Sequence, residues 1–255
     1  MEITELQKDL AATFRWTARL NMHEGVANHF SACVPGSSTE FYVNKAGIHF
    51  SQIKASDLIL ITKENIKELK EKPEIVDPTA ISIHSAIHEK VPHAKCIFHA
   101  HSKFATTLST LKDPVLKPID QNTMIFYNRV SVFNEFGGLG FEEESYKMAT
   151  ALGNRQHMLL ANHGIITTGE TVADGFNALY YFEKAAETYL TALSTNKELN
   201  IASHAVAEKT AQETANYPID LAKMHLDQIK LILDKEEPDY KNLKNRLIVY
   251  LSIIL

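Results

Sequence analysis

The chain has 255 residues, 45% of them hydrophobic and 22% charged, a composition that supplies a sizeable core for one large domain. A formal charge of −5 and a pI near 6.2 leave no basic footprint for nucleic acid or an anionic membrane surface. No apolar run has the length of a membrane-spanning helix, and "MEITELQKDL" has neither the basic start nor the apolar core of a secretory signal, so a cytoplasmic protein is expected.

In chain order, residues 3–21 place Ile3, Leu6, Leu10, Phe14 and Leu20 at helical spacing. "HEGVANHFSACVPG" breaks at Gly25 and becomes a strand, the "VPGSS" turn follows, and "TEFYVNK" returns as the second arm of a hairpin. "LILITK" is a short strand, and "KENIKELKEKPE" is a charged connection. Asp77-Pro78-Thr79 has the chemistry of a helix start, a capping side chain followed by an early proline, and the helix ends before Pro92. "AKCIFHAHS" is a strand. Residues 103–111 and 142–153 are helical, separated by an irregular stretch, "DPVLKPIDQNTMIFYNRVSVFNEFGG". "HMLLANHGIITTG" divides into two strands at Asn162-His163-Gly164. Thr171 caps the strongest helix, whose stripe is Phe176, Leu179, Tyr180, Phe182 and Ala186, and further helices fall at about 203–215 and 218–235. Interspersed strands and helices predict one α/β domain, a largely antiparallel sheet with helices on both faces. Cys33 and Cys96, both in apolar strand-like runs, read as buried free thiols.

Histidine is the compositional oddity: there are 12, and His84, His88, His93, His99 and His101 fall within residues 84–101. On an extended strand, side chains repeat every two residues, so His99 and His101 point the same way, as a pair of metal-binding imidazoles would. His163 precedes Gly164, whose backbone can turn sharply or approach a ligand closely. Three nitrogens and an open position would make a catalytic rather than a structural metal site.

"GVANHFSACVPG", "FYVNKAGIHFSQIKASDLILI", "IHSAIHEKVPHAKCIFHAHS", "MLLANHGIITTG" and "FNALYYFEKAAETYL", in this order, resemble the class II aldolase/adducin family. That family includes fuculose-phosphate aldolase, ribulose-phosphate epimerase and the adducin head domain. The resemblance implies a three-layer α/β/α fold with a mostly antiparallel central sheet over residues 1–240, followed by an extension, 241–255. It implies zinc, or another divalent metal such as Fe²⁺ or Mn²⁺, on His99, His101 and His163. It also implies a homotetramer acting on a small-molecule substrate.

Two departures qualify the activity. The family's acid/base carboxylate matches Ala80, and a methyl group moves no proton. Of the phosphate pocket, Asn28, Gly47 and Thr79 match while Ala46 and Pro78 replace hydroxyl residues, so tight phosphate binding is not expected. The expected function is a metal-dependent lyase-like enzyme on a small carbonyl or hydroxy-acid substrate; the alternative is a non-catalytic, adducin-like binding module. Proton transfer then falls to another group: Tyr127 and His84 lead the candidates, with His88, Asp120 and Glu135 behind them. His84 and His88, one helical turn apart, also suit a supporting role beside the metal ligands. The tail "LIVYLSIIL" (Leu247 to Leu255) is too short to span a bilayer and is expected to pack as a strand or against a neighbouring subunit.

Overall fold

A computed structural model describes residues 2–135, 137, 138 and 140–243; the apolar tail from Leu247 lies outside the described residues. The first helix, α1 (Ile3–Arg19), buries Leu6, Leu10 and Phe14, while Ile3, its first residue, stays exposed. Strands β1 (His29–Cys33) and β2 (Phe41–Asn44) form the expected hairpin, and β3 (Leu58–Ile61) adds to β2. The charged connection contains a short helix, α2 (Ile66–Lys70), too brief for its period to stand out. Helix α3 (Pro78–Lys90) starts as the sequence indicates: Asp77 accepts from the Thr79 amide at 2.8 Å, and Pro78 occupies the first turn.

Strand β4 (Cys96–Ala100) leads into α4 (Lys103–Ser109). The stretch read as irregular carries a helix, α5 (Gln121–Ile125), and a strand, β5 (Val130–Phe133). Asp120 is the α5 cap, accepting from the Thr123 amide. Helix α6 (Glu142–Leu152) precedes the hairpin of β6 (His157–Leu160) and β7 (Gly164–Gly169). Thr171 caps α7 (Val172–Ser194) in a reciprocal pair with Asp174, and α8 (His204–Ala215) and α9 (Leu221–Glu236) follow.

The sheet order is β3-β2-β1-β4-β7-β6-β5, antiparallel throughout except for the parallel β5–β6 pair at one edge. Strand alternation sorts the core. Phe30 and Ala32 of β1, with Cys96, Phe98 and Ala100 of β4, pack with Phe14 of α1 and Phe176, Leu179 and Phe182 of α7. Ile97 and Ile166 face the opposite side with Ile83 and Ile87 of α3 and Met148 of α6. Phe30 stacks on Phe14 at 4.7 Å and meets Phe98 at 4.6 Å, tying α1 to the two central strands. Each such pair adds about 0.5–1.5 kcal/mol beyond its buried area. Cys33 and Cys96 are buried free thiols. Among the described residues no helix is long and apolar enough to cross a membrane.

Candidate metal centre

Two segments, the end of β4 and the β6–β7 turn, deliver three imidazoles to one end of the sheet. His99 is the penultimate residue of β4, His101 follows two positions on, and His163 sits in the β6–β7 turn. Their rings lie 4.8 Å (His99–His101), 4.9 Å (His99–His163) and 4.6 Å (His101–His163) apart, centroid to centroid. One nitrogen from each falls within 4.8 Å of the others. The β6–β7 turn reaches this position because Asn162 adopts a left-handed φ of 56° and its amide donates to the Ser109 carbonyl at 3.0 Å. Gly164 then passes so close to β4 that a Cβ there would lie 2.6 Å from the Ala100 carbonyl oxygen.

Hydrogen bonds fix the tautomers. His99 Nδ1 donates to the Ile165 carbonyl at 3.1 Å, and His101 Nδ1 pairs with the Glu24 carboxylate. Both Nδ1 protons are thereby committed, so His99 Nε2 and His101 Nε2 face each other as lone pairs only 3.0 Å apart. A cation or an additional proton must relieve that arrangement. Burial, followed by the neighbouring histidines, pushes His99 well below its usual pKa and His163 down to about 4. Neutral imidazoles are the metal-binding form. Two nitrogens each about 2.0–2.1 Å from one tetrahedral zinc would stand roughly 3.3 Å apart. This donor set, with the outward nitrogens of His99 and His101 already held, fits a divalent metal.

Two supporting carboxylates escape a reading by spacing. Glu24 lies in the loop after α1, 77 positions from His101. Glu183 is nearly buried on α7, where its carboxylate accepts from Ser102 Oγ (2.6 Å), the Phe104 amide (2.8 Å) and the Ala105 amide (2.9 Å), holding the first turn of α4 just beyond His101.

Asn28 is buried at the start of β1; its Oδ1 accepts from the Glu24 amide at 2.8 Å and the His101 amide at 3.3 Å. Among the described residues its Nδ2 has no partner. Gly47 has a φ of 73° with open space around it, and the neighbouring Ala46 amide donates to the Ile75 carbonyl at 2.9 Å. Thr79, however, donates both its amide and its hydroxyl to Asp77 Oδ1, so neither proton is available to a phosphate. The Tyr127 hydroxyl meets His204 Nδ1 at 3.0 Å, across to α8. Glu135 is exposed at the surface 4.0 Å from Lys147, and Asp120 is spent on its cap. His84 and His88 are buried on α3, and Ala80 is buried one turn before His84.

The profile of the class II aldolase and adducin N-terminal domain matches residues 8–190, more than half of the chain. The chain belongs to this family. A Pseudomonas aeruginosa protein named as a class 2 aldolase is 31% identical over 192 residues, 75% of this chain and 73% of that protein. Among solved structures, an aldolase II superfamily protein from Pseudomonas syringae superposes with a TM-score of 0.82 at 27% identity, covering 94% of this chain and 96% of that one. The L-fuculose 1-phosphate aldolase from Glaciozyma antarctica gives 0.79 at 27% identity, covering 94% and 92%. Other relatives are named as an adducin-related protein of Schizosaccharomyces pombe and a decarboxylase of Streptomyces niveus. The expected class II aldolase fold, α/β with a mostly antiparallel central sheet, is the one found.

Proposed function

We propose that the chain is a metal-dependent lyase of the class II aldolase type, acting on a small carbonyl or hydroxy-acid substrate, with zinc or another divalent ion held by His99, His101 and His163. The observation that carries this reading is the pair of lone-pair nitrogens, His99 Nε2 and His101 Nε2, facing each other at 3.0 Å with both Nδ1 protons already committed. A bound divalent cation would polarise the substrate carbonyl and stabilise charge that develops when an adjacent bond breaks. Asn28 Nδ2, a buried donor with no partner among the described residues, is suited to bind a substrate oxygen. The committed protons of Thr79 and the hydroxyl-free Ala46 and Pro78 argue against a phosphorylated substrate.

Elemental analysis of the purified protein tests the reading, with one divalent ion per chain expected and its loss expected in His99→Ala. A protein free of divalent metal after reconstitution with zinc, iron or manganese would remove the reading. One residue favours the second reading, an adducin-like binding module: Ala80 is buried and offers no carboxylate. In that case the metal would bind stoichiometrically, and no small hydroxy-carbonyl or hydroxy-acid compound would be turned over.

A further inference from the structure

Beneath the trio, on the α3 face of the sheet, runs a file of polar side chains that the metal site itself does not require. His29, Ser31 and Cys33 occupy alternate positions of β1 and so project to one face, while His84 and His88 are one turn apart on α3. Two strand residues and one helical turn both advance roughly 6 Å, so the two series interlock. His29 Nδ1 meets His84 Nε2 at 2.7 Å, His84 Nδ1 meets Ser31 Oγ, and Ser31 Oγ meets His88 Nε2 at 2.8 Å. His88 Nδ1 meets the Ala94 carbonyl at 2.8 Å, with Cys33 Sγ beside it at 3.2 Å. All three rings and the serine are at least nine-tenths buried.

The direction of this file is determined by its end. A carbonyl oxygen only accepts, so His88 Nδ1 carries the proton and its Nε2 is bare. Ser31 therefore donates to His88 and accepts from His84 Nδ1. That leaves His84 Nε2 bare, and His29 Nδ1 must donate to it. Burial holds His84 and His88 neutral, which keeps one proton per ring. The consequence falls at the other end: His29 Nε2 is left as an acceptor, with no hydrogen-bond partner among the described residues. Its ring lies 4.8 Å from that of His99, directly across the β1–β4 ladder.

We propose that His88, Ser31 and His84 form a one-way hydrogen-bond file that presents His29 Nε2 as the proton acceptor of the site, for the hydroxyl of a β-hydroxy carbonyl substrate. This rests on the metal-dependent reading above and supplies the proton transfer that Ala80 cannot make. The hydroxyl O–H bond breaks and an N–H bond forms at His29 Nε2. The oxygen's electron pair becomes the new carbonyl as the C–C bond breaks, and the pair from that bond stays on the carbon next to the original carbonyl. The proton returns from Nε2 to that carbon, so no other reactant is consumed. His29 is the catalytic residue; Ser31, His84 and His88 are positioning residues.

The test is nitrogen-15 NMR of histidine-labelled protein loaded with zinc, with the His29 signals assigned by their loss in His29→Gln. The expected spectrum has His29, His84 and His88 all in the Nδ1–H form. Ser31→Ala, a small change that should preserve the fold, should return His84 to a mixture of tautomers while leaving zinc content at the wild-type value. Titration with 3-hydroxypropionate, a small β-hydroxy acid, should move the His29 Nε2 resonance, and Ser31→Ala should weaken that response about tenfold. An Nε2–H tautomer at His29, unchanged tautomers in Ser31→Ala, or a His29 Nε2 signal that 3-hydroxypropionate leaves unmoved would each overturn the proposal. Failure to bind zinc would instead strike the metal reading, since the tautomers of the metal-free protein report on the file alone.

Discussion

His29 and His99 are paired across the β1–β4 ladder, their rings 4.8 Å apart with planes inclined by 38°. The pairing joins two systems of different origin. His99 belongs to the trio made by the ends of β4 and β7, whereas His29 is the last member of the file that α3 lays against β1. One register therefore brings a candidate metal-binding nitrogen and a candidate proton acceptor together. A one-residue slip of β1 against β4 would send His29 to the opposite face and separate them.

Glu24→Gln tests how the outer hydrogen bond of His101 supports the metal. The carboxylate holds the Nδ1 proton and orients the ring, and partners of this kind are typically worth 10- to 100-fold in affinity. Zinc affinity, measured by competition with a chromogenic chelator, should fall by about that factor. Because the Glu24 side chain is 65% exposed, the metal-free protein should change by no more than about 0.5 kcal/mol in urea unfolding.

Gly164→Ala should damage both fold and site. The new Cβ would meet the Ala100 carbonyl oxygen at 2.6 Å, a backbone atom that cannot swing aside. The expected cost is about 1–3 kcal/mol in urea unfolding, as for other overpacked positions. Because the shift would fall on the turn carrying His163, zinc affinity should also drop. Gly47→Ala is the control: its φ of 73° is strained for alanine, yet nothing lies within 4 Å, so stability should fall by about 1–2 kcal/mol with zinc binding intact.

Periodicity and punctuation exposed most of the architecture, and the reasons for the exceptions are physical. Alternation placed His99 and His101 on one face, and the Asn-His-Gly turn marked His163, because each depends on a few adjacent residues. The missed elements, α2, α5 and β5, have only five, five and four residues, too few for a period to register. The alternate spacing of His29, Ser31 and Cys33 was visible in β1, as was the four-residue spacing of His84 and His88, but only the packing of α3 on β1 shows that they interlock. Glu24 and Glu183 act across 77 to 81 positions, a pairing no local pattern signals. Tyr127 drew attention by lying in a stretch read as structureless. That stretch is ordered around α5 and β5, and the Tyr127 hydroxyl is bound to His204.

Glu183→Ala should be strongly destabilising although the residue lies on a helix with a wide apolar stripe. Removing the carboxylate leaves the Ser102 hydroxyl and the amides of Phe104 and Ala105 without their acceptor. Hydrogen bonds to a charged group contribute about 1.5–3 kcal/mol each and are not additive, so a loss on the order of 3 kcal/mol or more is expected from urea unfolding. Glu183→Gln retains one acceptor oxygen and should lose less. A change within 0.5 kcal/mol for Ala would show that α4 does not need this anchor.

Acid should destabilise the metal-free protein through two histidines remote from the trio. Burial pushes His157 from its usual 6.5 down to about 3 and His88 from 6.5 down to about 4. Both are acceptors when neutral: His157 Nδ1 faces the Thr168 amide at 3.4 Å, and His88 Nε2 faces Ser31 Oγ at 2.8 Å. A proton at either nitrogen would set donor against donor. Between about pH 4 and 6.5 the unfolded chain therefore binds protons that the folded chain refuses, so stability rises with pH across this window and levels off above it. At about 1.36 kcal/mol per unit of displacement, the two rings together should remove several kcal/mol as the pH falls from 7.5 to 4.5. Urea unfolding at a series of pH values measures the slope, and His157→Gln should flatten it by roughly the share of one ring. A free energy of unfolding that stays constant over that range would show that these imidazoles are protonated inside the folded protein.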